Sequence, residues 1–230
     1  MADARTERWA AHRIEMRKRV TTAAMAAIER DGPQVSMEEI AKEAGVPKPT
    51  LYRFFADKAD LAASVGEQAR EDIAERLAEA WQPGVRTMGE VVHAALSGYG
   101  ELIASHPNVF RFLLASDGAA PHAVENSKMI AGQLVLVLEA MNRAMGGGEV
   151  DLSIYGAMIV GMVSGSATWW LDHAEEPGAI DRFVARLEPA VRAIAELAGT
   201  ETGAPIDFDR PIPESFPRIL LDLTSSTAHS

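Results

Sequence analysis

Between Lys48 and Lys58 the sequence K-P-T-L-Y-R-F-F-A-D-K sets five hydrogen-bond donors along one short helix and the start of the next. Lys48, Thr50, Tyr52 and Arg53 fall outside the stripe that Leu51 and Phe54 would bury. Lysine and arginine can meet phosphate oxygens or guanine edges, and threonine and tyrosine can donate to phosphate. Lys58 is the sharper residue. Asp57 reads as an N-cap, which places a cation at the first position of the following helix, against its macrodipole, at a cost of ~0.3–1 kcal/mol. An anion held at that helix N-terminus would turn the cost into an attraction. The plainer reading, in which Lys58 pairs with Asp57 or Asp60 or faces water, stands beside it.

The elements that would position these donors are legible. Ser36 and Glu39 form an S-x-x-E capping box, with Val35 and Ile40 at the two staple positions, so a helix is expected to start at Met37. Gly45 follows Ala44 where a left-handed residue would turn the chain after two turns of helix. Ile40, Ala41, Val46, Leu51 and Phe54 can then make a small core between two crossed helices, 37–44 and 48–54, with the second one shaped to enter a major groove.

The remaining sequence predicts an all-α protein. Apolar residues recur at three- and four-residue spacing, and helices are expected at 6–30, 58–80, 86–105, 108–115, 121–145, 150–173 and 178–198. Asp31-Gly32-Pro33, Pro83-Gly84, His106-Pro107, Asp117-Gly118, Gly146-Gly147-Gly148 and Pro177-Gly178 mark the breaks, the triple glycine reading as a flexible connector. From Thr200 onward Pro205, Pro211, Pro213 and Pro217 preclude a continuous helix, while Phe208, Phe216, Ile219, Leu220, Leu221 and Leu223 are apolar. That tail is expected to pack as an extended arm with one short helix, on its own domain or on a partner's, and to be disordered from Thr224 to Ser230.

Composition narrows the function. The chain has 230 residues, no cysteine and a net charge of -11. Disulfides and thiolate metal sites are therefore excluded. No apolar h-region follows the Arg-rich start, so a cytoplasmic protein is expected. The charge is unevenly held: residues 1–60 carry 11 Lys+Arg against 10 Asp+Glu, and the remainder carries 11 against 23. Between residues 5 and 19, Arg5, Arg8, Arg13, Arg17, Lys18 and Arg19 face only Glu7 and Glu15. Any contact with nucleic acid is thus confined to the N-terminal part. Residues 152–171 are uncharged and long enough to span a bilayer, but acidic flanks and several hydroxyls point to a buried interface helix and no membrane. The six histidines form no metal-ligand spacing, Asp172-His173 is no triad, and the triple glycine lacks the Lys-Ser/Thr of a P-loop. No catalytic residue, metal or cofactor is expected.

Residues 12–65, and above all T-L-Y-R-F-F-A-D-K-A-D-L from Thr50 to Leu61, resemble the DNA-binding domain of the TetR family of repressors. The resemblance implies a helix-turn-helix domain over 1–57, a larger helical ligand-binding and dimerisation domain over 58–199, and a Pro-rich arm over 200–230. It implies that Lys48, Thr50 and Tyr52 contact double-stranded operator DNA, with Pro49 at the start of the recognition helix; Arg53 is expected beside them from its place outside the buried stripe. Lys58 would hold a phosphate, and Ser36 or Met37 would approach the backbone. The family often has a Ser or Thr cap where this chain has Pro47, so the recognition helix is expected to begin a residue late. A cavity for a small apolar or amphipathic ligand would lie among Met88, Val92, Leu96, Tyr99, Phe110, Leu113, Met141, Tyr155, Met158, Met162 and Trp169, residue types that re-pack easily. Leu136 belongs to the same set, with His93, Arg111 and Asn142 as polar groups beside it. Helices 150–173 and 178–198 would form the homodimer interface, where Gly161-x-x-x-Gly165 offers a surface for close helix approach. These features together read as a ligand-responsive transcriptional regulator, most simply a repressor released from a palindrome. Whether the ligand releases or promotes DNA binding is left open.

Overall fold

The computed structural model describes residues 3–79, 87–115, 120–173 and 178–212. Within them the regular elements are helices: α1 (Asp3–Asp31), α2 (Met37–Glu43), α3 (Lys48–Phe54), α4 (Lys58–Glu79), α5 (Met88–Ser105), α6 (Pro107–Ala115), α7 (Ala120–Ala144), α8 (Ser153–Leu171) and α9 (Ala179–Thr202). The all-α expectation therefore holds. The chain divides into two compact units, Met1–Glu71 with His106–Val124, and Asp72–Ser105 with Glu125–Ser230.

In the first unit α1 packs on α2, α3 and α6. Val20, Ala24, Ala27 and Ile28 of α1 meet Ile40, Leu51, Phe55, Leu61 and Val65 in one core. Helix α6 joins that core through Val109 and Phe112, both fully buried. Its first turn is tied to the end of α1: the Asn108 amide donates to the Glu29 carbonyl at 2.9 Å, and the Val109 N–H donates to the Glu29 carboxylate at 3.3 Å. A carboxylate at a helix N-terminus satisfies an orphan N–H and complements the macrodipole.

In the second unit α9 packs on α5 and α8. Phe183 is the pivot, with the Trp170 ring edge-on at 5.6 Å and the Tyr99 ring at 6.4 Å. Helix α8 meets α7 at Gly156, where an added Cβ would come within 2.6 Å of Val135. The triple glycine is fastened, contrary to the flexible connector expected. The Asn142 amide donates to the Gly148 carbonyl at 2.8 Å, and the Gly148 N–H donates to the Thr202 carbonyl at 2.8 Å.

Helix α9 also runs four residues past the expected end at 198, because Gly199 lies inside it. Gly199 serves close approach: an added Cβ would sit 2.8 Å from the Ala204 carbonyl. The helix ends instead at Gly203, with φ +75°. Residues 204–212 then return as a strap. Phe208 is buried, its carbonyl accepts from the Gly89 N–H at 2.9 Å, and Pro211 bridges Thr87. The rest of the arm, including the short helix and the disordered end expected there, lies outside the described residues.

Arg192 holds the strap from α9. Its guanidinium lies 5.1 Å from the Phe208 ring centroid and 3.6 Å from the Asp209 carboxylate, and it donates to Glu188 at 2.8 Å. His93 Nδ1 lies 3.0 Å from the other Glu188 oxygen. Burial alone would raise the Glu188 carboxyl, but the hydrogen bonds from His93 and Arg192 outweigh it and hold the group below its ordinary value of 4.5. With the folded value depressed, the contribution to stability is complete above 4.5 and is lost as pH falls through the folded value, because the unfolded chain takes up the proton first. Denaturant titrations between pH 6 and pH 3 should show that acid slope, and Glu188→Gln should flatten it.

Helix α8 has a mean hydropathy of 1.2 over its most apolar window, enough by length and composition alone to cross a bilayer. One face, with Ile159, Val160, Ala167 and Trp170, is buried. The other runs through Ile154, Met158, Gly161, Gly165 and Trp169 at three- and four-residue spacing and is open, with Ile154 61% and Trp169 46% exposed. A Cβ added at Gly161 or Gly165 would meet nothing within 4 Å.

Candidate nucleic-acid interface

The helix-turn-helix forms from the local signals that predict it. The Ser36 hydroxyl accepts from the Glu39 N–H at 3.3 Å, and the Ser36 N–H donates to the Glu39 carboxylate at 2.7 Å, closing the capping box. The Ser36 N–H and hydroxyl, both donating to the Glu39 carboxylate at 2.7 Å, hold its carboxyl below its ordinary value. Gly45 takes φ +64°, and the Val46 N–H returns to the Ala41 carbonyl at 3.0 Å.

Two local expectations change. The recognition helix does not begin late: Lys48 is its first residue, and the Thr50 and Leu51 N–H groups both donate to the Pro47 carbonyl, at 2.8 and 3.1 Å. Proline in the first turn of a helix gives up an N–H that has no intrahelical partner there, so Pro49 costs nothing. The deep aromatic is Phe55 rather than Phe54. The backbone turns extended at Phe55, with φ −132° and ψ 117°, and its ring is fully buried while Phe54 only packs against the core's edge.

With Leu51 and Phe55 facing in, Lys48, Pro49, Tyr52 and Arg53 face out; Tyr52 is 44% exposed and Thr50 is half-buried. The Lys48 ammonium rests on Glu38 at 3.2 Å. An exposed pair of this kind is worth at most ~1 kcal/mol, so a phosphate can displace it. Ser36 is exposed, but the Met37 side chain is buried, which leaves only its backbone for a contact.

Lys58 is the first residue of α4, as expected. Asp57 caps α4, accepting from the Asp60 N–H at 2.8 Å. Lys58, instead of pairing with Asp57 or Asp60, donates to the Val35 carbonyl at 2.8 Å, with its ammonium 5.4 Å from the Phe112 ring centroid.

Sequence reasoning places Arg17 among the cations of the basic stretch, but the structure turns it inward. Its guanidinium donates to the Phe54 carbonyl, to Asp60 at 3.0 Å and to Ser64 at 2.8 Å, and lies 4.3 Å from the Phe55 ring centroid. The signal that could have found it is the helical register. Arg17 precedes Val20, Ala24 and Ala27 at spacings of three, four and three, the stripe α1 buries.

The residues expected around a ligand are divided. Phe110 and Leu113 are on α6 in the first unit, where Leu113 packs on the helix-turn-helix core. In the second unit Met88 and Met141 share a cluster with Val137, Ile206 and Ile212. Leu96 is buried; Val92, Leu136 and Met162 are half-buried. Burial pushes the Tyr99 hydroxyl up to about 12, against a hydrogen bond with Ser164 that lowers it. Tyr155 donates to Glu201, while Met158 and Trp169 stand on the open face of α8. Of the polar groups, His93 and Asn142 are engaged as described above, and Arg111 reaches Asn108 at 3.4 Å. A hollow of about 390 Å³ between α5, α9 and the strap is lined by Thr87, Gly89, Glu90, His93, Glu188, Arg192 and Asp209, a polar set sharing only His93 with the groups expected near a ligand.

Comparison with known proteins joins this geometry to a family. Residues 20–65 match the family described as bacterial regulatory proteins, tetR family. The HTH-type transcriptional regulator Rv0472c of Mycobacterium tuberculosis is 30% identical over 175 residues, covering 74% of this chain and 73% of its own length. A tetR-family regulator from Streptomyces coelicolor superposes with TM-score 0.59 at 18% identity, covering 94% of this chain and 96% of that one. FadR from Bacillus subtilis, solved in complex with stearoyl-CoA, superposes with TM-score 0.56 at 21% identity, over 76% of this chain and 97% of its own. With a capped helix-turn-helix that turns its donors outward and a relative this similar over three-quarters of its length, the chain belongs to the TetR family of DNA-binding transcriptional regulators.

Proposed function

We propose that the protein is a repressor that binds a palindromic operator as a homodimer and is released by a small apolar or amphipathic ligand. The observation that carries the DNA half is the division of α3: Leu51 and its neighbour Phe55 lie in the core, and Lys48, Tyr52 and Arg53 face outward within seven residues. Lys48, Thr50, Tyr52 and Arg53 contact bases and phosphates, Pro49 packs near the sugar-phosphate chain, and Ser36 and the Met37 backbone approach it from α2. Lys58 donates to a phosphate with the N–H groups that Val35 does not use, since an ammonium has three.

Dimerisation through α8 and α9 is supported by the open face of α8. Glycine in a helix interior costs roughly 0.5–1 kcal/mol relative to alanine. No described residue of its own chain comes within 4 Å of a Cβ added at Gly161 or Gly165, and a second helix approaching closely supplies the reason for both glycines. Two recognition helices can then read half-sites ~34 Å apart, which one two-turn helix cannot do.

The ligand half rests on the adaptable apolar residues of the second unit: Met88, Val92, Leu96, Tyr99, Met141 and Met162. FadR's complex with stearoyl-CoA makes an acyl-type ligand the first class to try. By linkage the ligand weakens DNA binding by the factor with which DNA weakens ligand binding. A function carried out on DNA places the working protein in the cytoplasm.

The test is a fluorescence-anisotropy titration with DNA from upstream of the protein's own gene, at two salt concentrations. Wild type should bind saturably. Lys48→Ala with Tyr52→Ala should weaken binding by about 10- to 100-fold, and the salt slope should drop by about one for each phosphate that the variant no longer neutralises. Absence of a specific site both there and in a selection from genomic fragments would overturn the repressor reading, and tighter DNA binding with ligand would reverse the sign.

A further inference from the structure

We propose that Arg17 is the positioning residue of the recognition helix: it fastens the C-terminal end of α3 to the first turn of α4 and makes no contact with DNA itself. The proposal rests on the reading of α3 as the element that enters the groove.

Helix α3 has seven residues. A helix so short has little stability of its own, and beyond the Leu51 carbonyl, which accepts from the Phe55 N–H, its last carbonyls have no partner within the helix. Its direction is therefore set by what grips its two ends. The N-terminal end is built into the turn at Gly45. At the other end, Phe54 is the last residue of α3, and its carbonyl accepts from the Arg17 guanidinium. A cation at a helix C-terminus also complements the macrodipole.

The same guanidinium reaches α4, donating to Asp60 in its first turn at 3.0 Å and to Ser64 one turn later at 2.8 Å. Asp60 is itself fixed, its second oxygen accepting from the Ala56 N–H at 2.9 Å. The guanidinium plane is supported 4.3 Å from the centroid of the Phe55 ring, the residue at which the chain leaves α3. Arg17 thus joins three helices at one point: α1, which carries it, the end of α3, and the start of α4. Lys58 does the matching work for α2, since it donates from α4 to Val35, just before the Ser36 cap. The first turn of α4 consequently holds both helices of the helix-turn-helix, and Arg17 is the link to the one that reads bases.

Only arginine fits this place. A planar fork with five N–H donors can serve a carbonyl, a carboxylate and a hydroxyl at once while stacking on a ring, whereas a lysine ammonium is a point charge. A phosphate contact makes the opposite demand, because lysine keeps the charge that a phosphate needs.

The experiment compares wild type with Arg17→Lys and with the milder Ser64→Ala, which removes one of the three acceptors. Each is titrated with the operator fragment and with a random duplex at several salt concentrations, with melting followed in parallel. Arg17→Lys should lower operator affinity about tenfold, hold random-duplex affinity within about twofold, and leave the salt slope unchanged, since every phosphate neutralised by wild type is still neutralised. Ser64→Ala should show the same pattern at smaller size. Operator and random affinity that both stay within about twofold of wild type in Arg17→Lys would mean that charge alone suffices at this place, as it does for a phosphate contact, and would overturn the proposal. A lowered melting temperature with an unchanged ratio of operator to random affinity would make it a purely structural residue, which also overturns it. Failure of wild type to prefer any sequence is a separate outcome, which removes the reading of α3 on which the positioning role depends.

Discussion

Replacing Gly161 and Gly165 together by leucine is expected to leave a folded monomer whose operator affinity is about a thousandfold below wild type, close to its affinity for random DNA. Within one chain the substitution is expected to be tolerated, since a Cβ at either position meets no described residue within 4 Å and leucine is a better helix former than glycine by roughly 0.5–1 kcal/mol. The damage arises only where two copies of α8 approach. Branched side chains would hold the helices apart at the point where the open stripe, Ile154 and Met158 before it and Trp169 after it, has to close. Analytical ultracentrifugation at micromolar concentration, alongside the operator titration, separates the effects. Monomer, retained helicity and abolished operator binding support the interface. A dimer that survives both leucines places dimerisation elsewhere.

The second large effect concerns stability. Phe55→Ala should destabilise the first unit by about 3–5 kcal/mol, a large part of the 5–15 kcal/mol that holds a typical domain. The ring is fully buried among Val20, Ile40, Leu51 and Leu61, and its removal also takes away the surface on which the Arg17 guanidinium lies. Phe54→Ala removes a side chain that is only half-buried, so its cost should be less than half as great. Urea titrations of the two variants decide the order. A larger destabilisation from Phe54 would contradict the burial described.

This pair of phenylalanines marks the limit of what the sequence makes legible. Helices α2 and α3 follow from signals within a few residues, the capping box at Ser36 and the turn at Gly45, and both appear where those signals put them. Which of two adjacent aromatics is buried depends on the backbone of the residue between two helices, and periodicity is silent there. Contacts between residues far apart in sequence are hidden for the same reason. Helix α6 reads with the ligand residues because Phe110 and Leu113 are apolar, yet Val109 and Phe112 beside them seat it on α1, about 80 residues earlier. Arg17 looks like one cation among six until its partners, 37 to 47 residues on, come into place. Gly199 reads as a helix end because a glycine that ends a helix and one that admits another segment look alike in one dimension.

The open stripe of α8 also bears on how many copies of the regulator a cell can keep. A newly made chain that has found no twin carries an uncovered apolar ridge on a helix with a mean hydropathy of 1.2. Exposed surface of that kind invites aggregation and is what chaperones and proteases act on. The proposed pairing through α8 therefore predicts that orphan subunits are cleared in preference to assembled ones, and that the pairing equilibrium sets a threshold on the regulator's level. A modest fall in synthesis below that threshold depletes the active form more steeply than in proportion, since pairing depends on the square of the concentration of single chains.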